Sequence, residues 1–122
     1  MASPKRYYSR DTPLPMTDAR DPVIVSFART PQGKFGGALA EVSAPDLGGT
    51  AIRAAVARAG IAPEAVGEVV MGIVLPAGLG QHPARQAAVA GGIPDAVPAY
   101  NINKMCGSGM KALMNAANAI RA

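Results

Sequence analysis

Val97-Pro98-Ala99-Tyr100-Asn101-Ile102 leads into Asn103-Lys104-Met105-Cys106-Gly107-Ser108-Gly109, and that heptad leads into a run from Met110 to Ala122. The first piece is short and β-prone. The last has apolar residues at Met110, Leu113, Met114, Ala117 and Ile120, the spacing of one helix face. The joint between them holds the only cysteine of the chain. The order predicts that Cys106 sits where a buried strand turns into the first turn of a helix. A helix N-terminus offers partial positive charge and unpaired N–H groups, and both favour a thiolate over a thiol. Gly107 and Gly109 weaken a helix start, but without Cβ atoms they let a substrate and neighbouring backbone approach the sulfur. The plainer reading is that a lone cysteine is a small buried hydrophobe. The strand–Cys–Gly-Ser-Gly–helix order sets against it a recurring device, a nucleophile on a strand-to-helix turn.

Working outward, two more strand–helix units come into view. Val69 to Leu75 is apolar on both faces, as expected of a strand covered by helices on both sides of a parallel sheet. Pro76 to Gly80 reads as a loop, and Pro83 to Val89 as a short helix closed by Gly91 and Gly92. Ser43-Ala44-Pro45-Asp46 is a helix start: Ser43 can cap, Pro45 is tolerated in the first turn and Asp46 suits the positive end. Leu47, Ala51, Ala54, Ala55 and Ala59 recur at helical spacing, as do Ile52 and Val56, and Gly60 ends the helix. Its small alanine face predicts close packing on a sheet. Val23 to Ala28 reads as a further buried strand, and Pro98 limits the 97–102 strand to a late start or an edge. Strand–helix repeats of this kind predict an α/β layered fold with a mostly parallel sheet. The helix face with Met110 and Met114 reads as core.

Four ordered stretches resemble the thiolase family, the acetyl-CoA acetyltransferase group. They are Val23-Ile24-Val25-Ser26-Phe27-Ala28-Arg29-Thr30-Pro31 with Gly33-Lys34-Phe35-Gly36-Gly37; Val69-Val70-Met71-Gly72; Gly78-Leu79-Gly80-Gln81-His82-Pro83-Ala84-Arg85-Gln86-Ala87; and Asn103 to Ala112. The resemblance runs from about residue 22 to the last residue, and covers most of the first of two similar halves in the family. It implies a thiolase-like fold in part, and Cys106 as the catalytic nucleophile. The thiolate would attack the thioester of an acyl-CoA, forming an acyl-enzyme, with backbone N–H groups at the helix start holding the oxyanion. The overall reaction would make acetoacetyl-CoA from two acetyl-CoA, or cleave a 3-ketoacyl-CoA. Ser108 and Gly109 would shape the turn without transferring protons. The substrates would be coenzyme A thioesters, with no metal and no redox cofactor. The resemblance also places Arg85 and Gln86 near a subunit interface, and the chain in a homo- or hetero-oligomer. The family's activating histidine, second cysteine and oxyanion-binding asparagine belong to motifs beyond this segment. His82 departs from the asparagine common there, and its place before a proline suggests a surface or capping role. Two rivals stand beside this reading: another cysteine-using condensing enzyme, and a non-catalytic subunit in which Cys106 only packs.

Composition narrows the classes. The 122 residues carry 12 Lys+Arg and 8 Asp+Glu, a net charge of +4. The basic residues are scattered, with no basic run interleaved with aromatics that would suit nucleic acid. One cysteine excludes an internal disulfide and a multi-cysteine zinc site. No apolar run reaches the ~18 residues of a membrane span, and no signal-peptide core opens the chain. These features predict a cytoplasmic protein, or one of an organelle matrix. Residues 1–21, with Pro4, Pro13, Pro15 and mixed charges, read as a flexible leader, and 22–122 as a partial thiolase N-terminal domain. Gly33-Lys34 is followed by Phe35 rather than Ser or Thr, so the loop at Thr30 to Gly37 is not a phosphate loop. The chain stops inside a helical run with no stop signal. That predicts a small subunit completed by a complementary thiolase chain, a piece of a longer enzyme, or a structural fragment, with an exposed sheet edge and an uncovered apolar face.

Overall fold

The computed structural model describes residues 19–122, so all but the last three residues of the expected leader lie outside the described residues. Three helices and two strands follow one another: α1 (Ala44–Ala59), β1 (Val69–Gly72), α2 (Pro83–Ala90), β2 (Ala99–Ile102) and α3 (Ser108–Arg121), with a 3-10 turn at Pro63–Ala65. None of these helices is long and apolar enough to cross a membrane.

α1 forms where its local signals put it. Ser43 is the N-cap, accepting from Asp46 N–H at 3.2 Å, and the Asp46 carboxylate in turn accepts from the Ser43 hydroxyl at 2.6 Å. Gly60 closes the helix with φ 68°, a left-handed conformation that costs glycine little. α1 packs mainly on α2, and reaches the sheet through Ile52 and Val56, which lie against the core around Val69. Gly48 and Gly49 allow the contact with α2. A methyl group on Gly49 would stand 2.7 Å from Ala90 Cβ, and one on Gly48 would stand 3.0 Å from Ala87 Cβ. The two helices touch through their smallest residues, which lets them pack side by side at close range.

β1 and β2 are parallel, with Val69 opposite Ala99 and Gly72 opposite Ile102. Side chains alternate across such a pair. Val69, Met71, Ala99 and Asn101 face α1 and α2, where Val69, Ala88, Ile93 and Val97 form the buried core with Ile52, Val56 and Val66 around it. The other face carries Gly72, against which the first turn of α3 rests. β1 is shorter than expected: Ile73 N–H still reaches Ile102 C=O, but there β2 ends and leaves nothing to pair with Leu75. β2 starts late, after Pro98, which lacks a donor and offers only its carbonyl to Val69.

Two expectations fail. Val23 to Ala28 is not a buried strand; Phe27 is 81% exposed, and Val23, Ile24 and Val25 are exposed too. The segment has no ladder partner among the described residues, and without one β-prone residues make no strand. It is tied to α1 by Arg58, whose guanidinium donates to Phe27 C=O at 2.9 Å. The apolar stripe of α3 is not core either. α3 meets the sheet through small residues, Ser108 and Ala112, and leaves Met110 66% exposed, with Leu113, Met114 and Ile120 also exposed.

Candidate functional site

Four residues separate the end of β2 from Gly107, the N-cap of α3. Cys106 lies among them, exposed, just before the cap and two residues ahead of the first helical residue. It is therefore not inside the first helical turn. It is also not a core residue among the described residues. Gly107 gives the helix no side-chain cap. Gly109 and Met110 N–H, orphaned as first-turn groups always are, find no hydrogen-bond partner among the described residues.

The turn holding Cys106 is fixed by two side chains. Asn103 Oδ1 accepts from Met105 N–H at 3.0 Å, and Asn103 Nδ2 donates to Val74 C=O at 3.0 Å. One side chain thus pins the turn internally and ties it to the loop that follows β1. Ser108 is 4% exposed; its Oγ accepts from Lys104 N–H at 2.9 Å and donates to Met105 C=O at 2.6 Å. Backbone bonds from Gly107 N–H to Lys104 C=O and from Ser108 N–H to Met105 C=O, each 3.0 Å, complete the turn. Met105 itself has φ 49°. The left-handed region costs a non-glycine residue about 1–2 kcal/mol, so these bonds are what hold it there. The expectation that Ser108 shapes the turn agrees with these bonds.

α3 reaches the sheet because Gly72 has no side chain. A methyl group there would stand 2.5 Å from Gly109 N and Ser108 C, and 2.7 Å from Ser108 O. Gly72 was not among the expected site residues. A glycine closing an otherwise apolar strand was the available signal, since it marks close backbone approach. Asn101 was also missed. From β2 its Oδ1 accepts from Ala84 N–H at 2.8 Å, capping α2 from across the sheet, and nothing local announces that contact.

Over residues 22–122 the chain matches the model of the thiolase N-terminal domain. The chain belongs to the thiolase family. It is 64% identical over 102 residues to an acetyl-CoA acetyltransferase of Cupriavidus necator, covering 84% of this chain and 26% of that relative. It is 51% identical over 106 residues to a cytosolic acetyl-CoA acetyltransferase of Rattus norvegicus, covering 86% of this chain and 27% of the relative. Among solved structures it is similar to the Acat5 thiolase of Ascaris suum in complex with coenzyme A, with a TM-score of 0.78 and 42% identity over 80% of this chain and 26% of that one. The thiolase segment thus spans about a quarter of the length of these relatives.

In this thiolase segment Arg85 and Gln86 are occupied within the chain. Arg85 donates to Val97 C=O at 2.7 Å, donates to Asp95 C=O and pairs with the Asp95 carboxylate at 3.6 Å, bracing the connection from α2 to β2. Gln86 Nε2 donates to Leu79 and Gln81 C=O, both at 2.7 Å, bracing the loop before α2. His82 is the N-cap of α2: its Nδ1 accepts from Arg85 N–H at 3.1 Å, and its φ is 54°. The capping role expected of it is the one it fills. An asparagine would serve both needs, since it caps helices well and tolerates left-handed φ. His82→Asn should therefore leave the melting temperature of the thiolase unchanged or slightly raised. His82→Ala should lower stability by about 1 kcal/mol, read from the same thermal melts.

Proposed function

We propose that this segment carries the nucleophile of an acetyl-CoA acetyltransferase, and that Cys106 is that nucleophile. The observation that carries the reading is an exposed sulfur at the head of α3, in a turn fixed by Asn103 and Ser108. The names of the relatives and the coenzyme A complex of the solved thiolase support the choice of substrate. The Cys106 thiolate attacks the carbonyl carbon of an acyl-CoA thioester. A new S–C bond forms, the bond to the coenzyme A sulfur breaks, and coenzyme A leaves as a thiolate that takes up a proton. Backbone N–H groups at the helix start, that of Cys106 among them, stabilise the oxyanion formed on the way. The acyl group then passes to the carbanion of a second acetyl-CoA, giving acetoacetyl-CoA. In the reverse sense Cys106 cleaves a 3-ketoacyl-CoA.

The chain has one cysteine and one histidine, and that histidine is committed as a helix cap. Proton transfers around Cys106 are therefore assigned to groups outside these 122 residues, in a complementary thiolase chain or further sequence. The reaction as written uses coenzyme A thioesters and calls on no metal or redox cofactor. Arg85 and Gln86 act on an interface indirectly: they stiffen the loops before and after α2, and those loops are the surface offered to a neighbouring subunit. The cytoplasm is the proposed location, in keeping with the cytosolic rat relative.

Mass spectrometry of the protein in its native assembly, after exposure to acetyl-CoA, tests the proposal. An acetyl group is expected on Cys106 and nowhere in Cys106→Ala. Its absence from the unchanged protein would sink the acyl-transfer reading.

A further inference from the structure

Met105 stands immediately before Cys106 with φ 49°, and its exposed side chain provides no packing that would hold it so. Its two backbone polar groups are instead each gripped by a side chain: the N–H by Asn103 Oδ1, at 3.0 Å, and the C=O by the Ser108 hydroxyl, at 2.6 Å, beside a weaker 3.0 Å bond from the Ser108 backbone N–H. The Ser108 oxygen also accepts from Lys104 N–H at 2.9 Å, so its proton and one lone pair are committed to the turn. With Ser108 4% exposed, water competes little for these bonds. Nor is this ordinary helix capping. A cap hydroxyl reaches forward to first-turn amides. Ser108 reaches backward, to the two residues ahead of the cysteine.

We infer that Ser108 and Asn103 are positioning residues: by holding Met105 left-handed they aim the Cys106 sulfur, and so set the rate at which it takes an acyl group rather than the affinity for the acyl-CoA. The inference rests on Cys106 being the nucleophile. Without the hydroxyl, the shortest bond to the Met105 carbonyl and the partner of Lys104 N–H are both lost; Met105 then shifts toward the negative φ that methionine prefers, and the direction of the next Cα–Cβ bond turns with it. Glycine at 105 would take the left-handed conformation without needing to be held.

The test compares Ser108→Ala, Met105→Gly and the double variant in the native assembly. Three quantities are measured: single-turnover acetylation of Cys106 against acetyl-CoA concentration, alkylation of Cys106 by iodoacetamide, and thermal melting. In Ser108→Ala the maximal acetylation rate is expected to fall roughly 10–100-fold, the size of effect that an ångström-scale misplacement produces. The half-saturating concentration and the alkylation rate should stay within about threefold, because neither depends on aiming the sulfur at a bound carbonyl. Adding Met105→Gly should recover about fivefold or more of the lost rate, because glycine needs no brace there. A Ser108→Ala protein that acetylates as fast as the unchanged one overturns the inference, as does a double variant no faster than Ser108→Ala. Should Ser108→Ala not fold, Asn103→Ala, at an exposed position, makes the same comparison with the same expected loss and the same rescue. An unchanged protein that is never acetylated defeats the acyl-transfer reading and this one with it. Normal acetylation beside an unaffected Ser108→Ala defeats the positioning role alone.

Discussion

Cys106→Ala should lower acyl transfer by roughly 10⁴-fold or more, the scale of loss when a covalent nucleophile is removed. The sulfur is exposed, so truncating it opens no cavity. The melting temperature should therefore hold while the chemistry disappears. Coenzyme A release at saturating acetyl-CoA, measured beside a thermal melt, separates the two. Cys106→Ser keeps an oxygen where the sulfur was, but a hydroxyl is far less ionised than a thiol and should rescue little. More than about a tenth of the original turnover in Cys106→Ala would be incompatible with a covalent role on this scale.

Gly72→Ala is expected to have the largest effect of any single methyl group added to the sheet. The added carbon would stand 2.5 Å from Gly109 N and Ser108 C, both backbone atoms that no side-chain rotation can move away. Either β1 or the start of α3 must shift. Overpacking of this kind costs about 1–3 kcal/mol. The displaced turn carries Ser108 and Cys106, so acyl transfer should fall as well, by about 10²-fold for a shift near 1 Å. Gly67→Ala is the matched control: nothing stands within 4 Å of its added methyl, and its φ is not positive. Thermal melts and acetylation rates of the two variants should diverge sharply. Equal behaviour would show that α3 does not rest on the strand in this way.

Sequence patterns exposed the local features and missed the distant ones. α1 was readable end to end because its start and stop are written within a few residues, at Ser43, Asp46 and Gly60. α2 was readable from Pro83 to its glycines, and even the capping use of His82 followed from the proline after it. Val23 to Ala28 was misread because a strand is a contract between two segments, and composition describes only one of them. The α3 stripe was misread for a related reason: helical spacing tells which residues share a face, not whether anything covers that face. At the candidate site the cysteine, the glycines and the shaping role of Ser108 were legible. The left-handed Met105 was not, since methionine gives no warning of a conformation imposed by Asn103 and Ser108 around it. The close seat of α3 on Gly72 needed the three-dimensional pairing of β1 with α3 before its meaning was visible.

The stripe of Met110, Leu113, Met114 and Ile120 lies along the helix that has the sulfur at its head. α3 touches the sheet through little more than Ser108, Ala112 and their neighbours, a narrow footing for fourteen residues. Any body that settles over the oily side clamps the rod along its length. The turn that carries the sulfur has its own ties through Asn103 and Ser108, so such a clamp would act on the shaft of the rod while the tip is already held.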